Sequence, residues 1–315
     1  MTLDNIASAI EKAKDIVILT HENPDGDAIG SSLALYLGLK QLNKKVDVII
    51  PEYPEMFDFL PEVNEIKREG KEGNYDLAIA LDCGDARRVV GYDEYFDNAN
   101  TKVQIDHHRI NSMFADYNFV NPLAPATSQI LIVVLETLGI EITKEIGTCL
   151  LTGIITDTGG FKYQDVTAET FEFTGGLLRR GVHVSNIYKK VMQVISKSSF
   201  ELRKKAMNRL EFLADGKVTF TYITKEDQEE TKSSMNDHDG IVEIGRDIEG
   251  VEVSIFLREH EEGYKISLRS NEYVNVADIC VLFGGGGHTR AAGGDVQGSL
   301  EHAKEKIVSA CIHKL

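Results

Sequence analysis

Cysteine and proline are scarce in this sequence, and it contains no long hydrophobic run. Its 4 cysteines are far apart and form no C-x-x-C pair, which excludes a disulfide framework and a zinc knuckle. The longest strongly apolar run covers only residues 130–135 and is far too short to span a bilayer. The first residues also lack the basic and apolar segments of a signal peptide. We therefore expect a cytoplasmic protein with reduced cysteines and no membrane partner.

Positive charge is also in deficit. The chain has 34 lysines and arginines against 50 aspartates and glutamates, which gives a formal net charge of −16. A chain with this balance does not hold long nucleic acid by general neutralisation of phosphates. This excludes a histone-like or scanning DNA-binding protein, and we expect no long duplex as a partner. A short nucleotide in a local pocket is still compatible, and so is a protein that gathers carboxylates around metal cations.

Chain length and a change of sequence pattern predict two domains. At about 150 residues per domain, 315 residues correspond to roughly two domains. We expect a first domain at 1–190, a linker helix at 191–212 and a smaller second domain at 213–315. We also expect a cleft between the two domains.

Both domains are predicted to have an α/β fold. In the first, four short and continuously apolar segments are typical of parallel strands that are covered on both faces: residues 15–20, 45–50, 76–82 and 102–106. Helical stretches separate the first two segments, which favours a doubly wound, mostly parallel sheet. In the second domain, alternating apolar and polar residues predict the strands of a mixed sheet, and a glycine-rich loop follows them.

Acidic and histidine residues cluster at four places where predicted strands or helices end. The clusters are His21-Glu-Asn-Pro-Asp25-Gly-Asp27, Asp82-Cys-Gly-Asp85, Asp106-His107-His108 and Thr156-Asp157-Thr-Gly159. Each cluster alone is compatible with an ordinary turn or a helix cap. Open α/β sheets bind ligands outside the carboxyl ends of their strands, so the four clusters together predict one shared site.

The chemistry of these side chains favours a pair of metal ions. Carboxylate and imidazole ligands without a thiolate suit Mn²⁺ or a similar ion better than a closed structural zinc site. The candidate ligands outnumber what one ion needs, so we expect two divalent ions about 3.5–4 Å apart, bridged by a carboxylate. Two cations lower the pKa of an attacking water and neutralise phosphoryl oxygens, which is the chemistry of hydrolysis at phosphorus.

Taken in order, the four clusters resemble the four motifs of the DHH phosphoesterase superfamily, which is named for the triplet seen here at 106–108. The segment GGGGHTRAAGG at 284–294 is similar to the signature of the RecJ-like, DHH-associated C-terminal domain. The resemblance extends over essentially the whole chain. With no extra domain, the chain most resembles the NrnA type, nano-RNases that also remove the 3′-phosphate from 3′-phosphoadenosine 5′-phosphate (pAp).

The resemblance implies a role for each clustered residue. The metal ligands that it implies are His21 and Asp25 for one ion, Asp27, His107 and Asp157 for the other, and Asp82 for both. Asp82 would also take part in catalysis, as would His108, which contacts the scissile phosphate or acts as general acid. Asp106 would orient the histidines that follow it. Mn²⁺ is the favoured metal, with Mg²⁺, Co²⁺ and Fe²⁺ as alternatives.

The resemblance also implies a set of substrate-binding residues. They are Arg109, Arg258, Arg269, Ser270, Gly285, Gly286, Gly287, His288 and Arg290. Glycines let backbone N–H groups approach a phosphate, and guanidinium groups offer it paired donors. The segment 188–209 carries seven basic residues and one acid, and a solvated linker face explains it better than a guide for a nucleotide strand.

These inferences predict a two-metal phosphoesterase. It would hydrolyse short single-stranded RNA or DNA to mononucleotides and remove the 3′-phosphate from pAp. Cyclic dinucleotides, or linear dinucleotides such as pApA and pGpG, stay open as alternative substrates. A pyrophosphatase or exopolyphosphatase is less favoured, because the pyrophosphatases of the superfamily carry a different C-terminal domain. A non-catalytic nucleotide sensor is disfavoured because no predicted metal ligand is missing. The sequence leaves open whether the protein is a monomer or a homodimer.

Overall fold

The computed structural model describes residues 3–71 and 73–315, which form two compact units. The division lies between Val194 and Ile195. It lies inside the segment 191–212, which the sequence predicts to be a linker helix. An α-helix occupies Lys197–Asn208 and belongs to the second unit. The residues predicted as a linker are therefore shared between the two units.

In the described residues, the first unit contains six strands and six α-helices. The strands are β1 (Asp15–Leu19), β2 (Lys45–Ile49), β3 (Ile66–Lys67), β4 (Leu77–Leu81), β5 (Thr101–Asp106) and β6 (Tyr117–Val120). The helices are α1 (Leu3–Lys12), α2 (Gly26–Gln41), α3 (Thr127–Thr137), α4 (Lys144–Asp157), α5 (Ala168–Arg179) and α6 (Val184–Tyr188). All six strands pair in parallel, in the order β3-β2-β1-β4-β5-β6. The predicted parallel α/β sheet is confirmed.

The parallel sheet is buried on both faces. One set of alternating side chains, which includes Ile18 and Ile79, joins a core with apolar residues of α2, α3 and α4. The other set, which includes Val17 and Ala80, packs with residues of the segment 89–99 such as Phe96. Burial from both sides explains why the strands are continuously apolar in sequence.

Helices α2 and α4 pack closely because glycines lie where they meet. A Cβ at Gly30 would lie 2.5 Å from the carbonyl oxygen of Cys149. A Cβ at Gly153 would lie 2.1 Å from Ser128 Oγ and 2.5 Å from Asp27 Oδ1. Protein interiors are close-packed, so any larger residue at position 153 would displace its neighbours. The packing of α4 therefore helps to fix the position of Asp27.

The second unit contains, among the described residues, six strands and five α-helices. The strands are β7 (Glu211–Leu213), β8 (Val218–Ile223), β9 (Val253–His260), β10 (Gly263–Ser270), β11 (Gly286–His288) and β12 (Ala291–Gln297). The helices are α7 (Lys197–Asn208), α8 (Lys225–Thr231), α9 (Ile241–Arg246), α10 (Val276–Val281) and α11 (Leu300–Ile312). The strand order is β11-β12-β10-β9-β8-β7, with β8 and β9 parallel and the other neighbours antiparallel. This confirms the predicted mixed sheet.

The glycine-rich segment 284–294 differs from the predicted loop. Its strands β11 and β12 pair antiparallel and form a hairpin. A Cβ at Gly285 would lie 2.0 Å from the carbonyl oxygen of Gly293, so the two backbones approach too closely for a side chain. The loop prediction is wrong because the missing side chains here permit close pairing of two strands.

Among the described residues, no helix combines the length and the apolar character that a membrane span needs. This agrees with the shortness of the apolar runs in the sequence.

Candidate metal centre and phosphate-binding residues

The candidate site lies at the carboxyl ends of β1, β4 and β5. From β1 the chain passes to β2 on one side of the sheet, and from β4 it passes to β5 on the other side. The connections after β1 and β4 therefore diverge, which leaves a crevice at this edge of the sheet. Three of the four predicted clusters follow these strands, and the fourth lies at the end of α4.

His21, Asp25 and Asp27 lie between β1 and the first turn of α2. Asp25 is the N-cap of α2, and its Oδ1 accepts hydrogen bonds from two backbone N–H groups at 3.0 and 3.1 Å. Asp27 is fully buried and reaches the start of α3, where it accepts hydrogen bonds from the backbone N–H groups of Thr127 at 2.5 Å and Ser128 at 2.9 Å. Backbone donors therefore hold both carboxylates at the edge of the sheet.

Asp82 lies directly after β4 and is buried. Its backbone φ of 55° is in the left-handed region, which is uncommon for a residue with a side chain and often marks a functional site. Its Oδ2 lies 3.7 Å from His21 Nε2, and its Oδ1 lies 3.4 Å from His107 Nε2. Thr127 Oγ1 donates a hydrogen bond to the same Oδ1 at 3.1 Å. The two oxygens of one carboxylate therefore face two different histidines.

His107 is oriented by a backbone carbonyl. Its Nδ1 lies 3.2 Å from the carbonyl oxygen of Ala124, and because a carbonyl oxygen only accepts, Nδ1 carries a proton. Nε2 faces Asp157 Oδ2 at 3.1 Å. Asp157 ends α4, where the helix dipole disfavours an acid and favours a cation. Nε2 is therefore the atom with which His107 can bind a cation together with Asp157.

The predicted metal ligands form two groups of three, each compact enough for one ion. The groups are His21, Asp25 and Asp82, and Asp27, His107 and Asp157. Within each group, the candidate ligand atoms lie within 4.8 Å of one another. Asp82 also forms such a group with His107 and His108. The structure thus brings together all six residues that the sequence predicts to be metal ligands.

The acids of this site repel one another. Burial and the charge of Asp82 raise the pKa of Asp25, and the same causes raise the pKa of Asp27 well above its ordinary value. Burial raises the pKa of Asp157 to about 6, although His107 donates a hydrogen bond to it. Asp82 differs: burial opposes its charge, yet a hydrogen bond and the charges of nearby histidines lower its pKa to about 2. Burial disfavours the charged form of His107, yet the acids raise its pKa to about 11.

Two divalent cations fit this donor set. Among the described residues, no lysine or arginine lies within 4.0 Å of the acids at positions 25, 27, 82 and 157. The Nδ1 of His21 is buried, and it has no hydrogen-bond partner among the described residues. Carboxylate oxygens and imidazole nitrogens are ligands for divalent cations, and neither group of three contains a cysteine. Cations would supply the positive charge that these acids lack.

His108 lies beside the metal ligands and is held by Asp106. Its Nδ1 lies 2.7 Å from Asp106 Oδ1. Asp106 is fully buried, and its other oxygen accepts a hydrogen bond from Asn111 Nδ2 at 2.6 Å. Burial opposes the charge of His108, but the hydrogen bond with Asp106 raises its pKa. His108 therefore has a fixed orientation, and its contact with Asp106 favours the protonated form that a general acid needs.

Thr127 and Asn111 are polar residues of this site that the sequence analysis missed. Thr127 donates to Asp82, and Asn111 donates to Asp106. Neither lies in a cluster of titratable residues, so no pattern distinguishes it from other polar residues. The one available signal is that Thr127 begins an apolar helix at the level of the predicted site.

In the second unit, two arginines predicted to bind substrate also have protein partners. Arg269 Nε donates to Glu243 Oε1 at 2.8 Å. The guanidinium of Arg290 donates to the carbonyl oxygen of Val274 at 2.9 Å and to that of Glu272. Arg290 therefore holds the loop after β10, a contact that the sequence analysis did not include.

The other predicted substrate residues lie at three places. Ser270 is buried at the end of β10, and its Oγ donates to the carbonyl oxygen of Val274 at 2.6 Å. Arg258 is half-buried on β9, next to β10. The exposed residues are Arg109 in the first unit and Gly285, Gly286, Gly287 and His288 in the hairpin.

Comparison with known proteins places this chain in a family. The N-terminal domain of the DHH family matches residues 15–154, and the DHHA1 domain matches residues 215–314. A Thermus thermophilus protein named bifunctional oligoribonuclease and PAP phosphatase NrnA is 36% identical over 303 residues, which cover 95% of this chain and 90% of that protein. The chain belongs to the DHH family. The resemblance recognised in the sequence is confirmed.

Other members of the DHH family and related structures are similar over most of this chain. The Bacillus subtilis protein of the same name is 22% identical over 89% of each chain. The structure of an exopolyphosphatase-related protein from Bacteroides fragilis has a TM-score of 0.92 and 31% identity, and the match covers 99% of this chain and 95% of that one. RecJ from Thermus thermophilus in complex with Mn²⁺ has a TM-score of 0.58 and 16% identity over 98% of this chain and 55% of RecJ, a likeness of fold.

Proposed function

We propose that this DHH-family chain is a two-metal phosphoesterase that hydrolyses short oligonucleotides to mononucleotides and removes the 3′-phosphate from pAp. One observation carries the proposal: the two oxygens of buried Asp82 face the two histidines, His21 and His107, of two separate ligand groups. The two activities in the name of the 36% identical Thermus relative support the choice of substrates. Residues 1–190 would form the metal-binding domain and residues 213–315 the substrate-binding domain.

The ligand groups described above would hold the two ions, for which Mn²⁺ is the favoured metal. When bound, the ions supply positive charge at the phosphoryl group and lower the pKa of the attacking water. Asp82 fixes the spacing of the two groups because it belongs to one and contacts the other. The backbone N–H groups of α3 hold Asp27, so this ligand is placed before any ion binds.

His108 would act as the general acid. The carboxylate of Asp106 accepts the Nδ1 proton at 2.7 Å and thereby directs Nε2 away from Asp106. The raised pKa favours the protonated imidazole, from which Nε2 would donate a proton to the oxygen that leaves phosphorus. Asn111 donates to the other oxygen of Asp106 and would keep the carboxylate in this orientation.

The second unit would bind the part of the substrate that does not react. Arg258, Arg269 and the glycine hairpin offer guanidinium and backbone donors to a phosphate. We propose that Ser270 and Arg290 act differently, by positioning the loop after β10, because both donate to the carbonyl oxygen of Val274. Arg109, which is exposed beside the histidine pair, would contact the substrate from the first unit.

A panel of substrates and metals tests the proposed function. The protein is stripped of metal with a chelator and assayed with Mn²⁺, Mg²⁺, Co²⁺ or Fe²⁺ on pAp, a 5′-phosphorylated RNA trimer, pApA and a cyclic dinucleotide. We expect phosphate from pAp and mononucleotides from the trimer, only when a divalent ion is present. Cleavage of pApA or the cyclic substrate without release of phosphate from pAp would favour the dinucleotide phosphodiesterase instead. No hydrolysis with any metal would contradict both.

A further inference from the structure

The charges of three arginines of the second unit act on Asp239. Arg203 of α7 donates from Nη2 to the backbone carbonyl oxygen of Asp239 at 2.8 Å. Burial and the charge of Glu243 raise the pKa of the Asp239 carboxyl, and the charges of Arg269, Arg203 and Arg258 all oppose that rise. These arginines come from one helix and two adjacent strands, so the fold brings together residues that are far apart in sequence.

The arginine cluster, Arg203, Arg258 and Arg269, carries more positive charge than its acids neutralise. Its second carboxylate is Glu243 of α9, which accepts a hydrogen bond from Arg269 Nε at 2.8 Å. Three guanidinium groups against two carboxylates leave one positive charge in excess. Residues 195–315 as a whole carry 21 acids and 16 lysines and arginines. The cluster is therefore a local positive site in a negative unit, and it attracts anions.

Arg203 has bonding capacity that the protein does not use. Its Nε is buried and has no hydrogen-bond partner among the described residues, although buried polar groups normally have one. On the same helix, Lys204 pairs with Glu201 at 2.7 Å and Lys205 pairs with Glu230 at 2.6 Å. No carboxylate of the described chain lies within 4.0 Å of Arg203. Unlike those two lysines, Arg203 thus forms no ion pair within the described chain.

Gly240 makes room for this guanidinium. A Cβ at this position would lie 2.6 Å from Arg203 Nη2, so the guanidinium occupies the space that a side chain at 240 would need. The carbonyl of Asp239 holds the same Nη2 in place. Arg203 is therefore held at the backbone of Asp239, the residue whose carboxyl group also interacts with the charges of Arg258 and Arg269.

We infer that Arg203 is a third phosphate-binding guanidinium beside Arg258 and Arg269, and that this arginine cluster selects substrates with a terminal phosphate monoester. The inference rests on the proposed function, since it names the part of the substrate that the second unit recognises. A phosphate monoester carries a charge of about −1.5 to −2 at neutral pH and three acceptor oxygens. The planar fork of a guanidinium matches such oxygens, whereas a 5′-hydroxyl end offers neither the charge nor the paired acceptors.

The test compares two dinucleotides that differ only in the terminal phosphate, pApA and ApA. Arg203→Met keeps most of the length of the side chain but removes its charge, and Arg203→Lys keeps the charge but loses the fork. We expect Arg203→Met to raise KM for pApA about tenfold or more, as for the loss of a hydrogen bond to a charged group, with kcat within about twofold. KM for ApA should not change, and Arg203→Lys should lie between. Lys204→Met, next to it on the same helix, is the control and should match the wild type.

An equal rise in KM for both dinucleotides, or no rise for either, would overturn the inference. Calorimetric binding of pApA and ApA to the same proteins makes the test independent of turnover. If the wild type hydrolyses neither dinucleotide, nor pAp nor the RNA trimer, the proposed function fails, yet a preference for binding pApA that Arg203→Met loses still supports the inference. A wild type that binds both equally well overturns it. If thermal melting shows that Arg203→Met is unfolded, the more conservative Arg203→Lys provides the same comparison.

Discussion

Asp27 and Asp227 both lie in the first turn of a helix, and both are buried. In the second unit, burial opposes the charge of Asp227, but ion pairs with Arg209 and Lys205 lower its pKa well below the usual range. In the first unit, Asp27 faces Asp82 and a further aspartate instead, and with burial these raise its pKa. Each unit therefore has a buried aspartate in the first turn of a helix, but the electrostatic environments of the two aspartates are opposite.

The comparison separates acids that stabilise the fold from acids that are placed for a cation. Glu252 of the second unit, like Asp227, is satisfied by the protein: it accepts hydrogen bonds from the backbone N–H groups of residues 272–274. In the first unit, Asp25 and Asp27 are also held by backbone donors, but both lie close to other acids of the site. Functional sites commonly retain such unfavourable arrangements, and the rest of the fold compensates for them.

Removing the central carboxylate of the metal site has the largest expected effect. Asp82→Ala takes away the group that faces both histidines, so hydrolysis of pAp and of short RNA should fall at least about a thousandfold. Initial rates with an excess of divalent metal measure this. Asp85→Ala, in the same loop and paired with exposed Arg87, is the control and should retain activity. Turnover near the wild-type rate by Asp82→Ala would defeat the proposed site.

Neutralising Asp227, the buried and ion-paired acid of the second unit, should lower the stability of the protein. Asp227→Asn removes the ion-pair partner of Arg209 and Lys205, which are partly exposed, so we expect a loss of about 2 kcal/mol in the free energy of unfolding at pH 7. A lowered carboxyl pKa stabilises the fold above the unfolded value of about 4, and this contribution disappears as the pH falls. The gap between variant and wild type in urea unfolding should therefore narrow towards pH 3. Asp215 is exposed, so Asp215→Asn should change the free energy of unfolding by less than about 0.5 kcal/mol. Equal losses of stability in both variants would contradict the stabilising role of the Asp227 ion pairs.

The arginines of the second unit should affect substrate affinity, whereas the acids of the first unit should affect the rate of hydrolysis. Arg269→Ala should raise KM for pAp about tenfold, the loss expected for a hydrogen bond to a charged group, with kcat within about twofold. Steady-state kinetics separate the two constants. Lys265→Ala, an exposed residue on the same strand, should leave both unchanged. A fall in kcat with an unchanged KM would instead assign Arg269 to the chemical step.

The smallest expected effect concerns the stability of the metal-free protein. Asp25→Asn keeps the Oδ1 that caps α2 and removes one of the mutually repelling charges. We expect its melting temperature without metal to be at least that of the wild type, and the rise in melting temperature with Mn²⁺ to be smaller. Asp85→Asn should show the wild-type rise. A variant that melts lower without metal and keeps the full rise would contradict the role of Asp25.

Much of the metal site was predictable because parallel strands align their carboxyl ends. His21, Asp82 and His107 each follow a strand that is recognisable as a continuously apolar run, so their convergence follows from the sheet. Asp157 ends a helix, and the prediction that it joins the site depended on the family resemblance as well as on its unfavourable place at a helix end. The mixed sheet was predictable from alternating residues.

The contacts made by single polar side chains were not predictable in the same way. In the sequence, Arg203 is one of seven basic residues in the polar segment 188–209. Only the packing of α7 beside Asp239 distinguishes it from Lys204. Arg290 was predicted to bind substrate because it follows the glycine motif. In the structure its guanidinium donates to the carbonyl oxygens of Val274 and Glu272, in the loop after β10. Such contacts depend on tertiary packing, which no local pattern encodes.

The close fit at Gly153 limits how this protein could be engineered. Replacing a helical glycine with alanine is a common route to a more heat-resistant protein, because alanine favours the helix by about 1 kcal/mol. At Gly175 of α5 the new methyl group would meet nothing within 4 Å, and the replacement should succeed. At Gly153 the same methyl group would push Asp27 away from its position. A thermostabilised variant that included Gly153→Ala would therefore lose catalytic activity, whatever it gained in thermal stability.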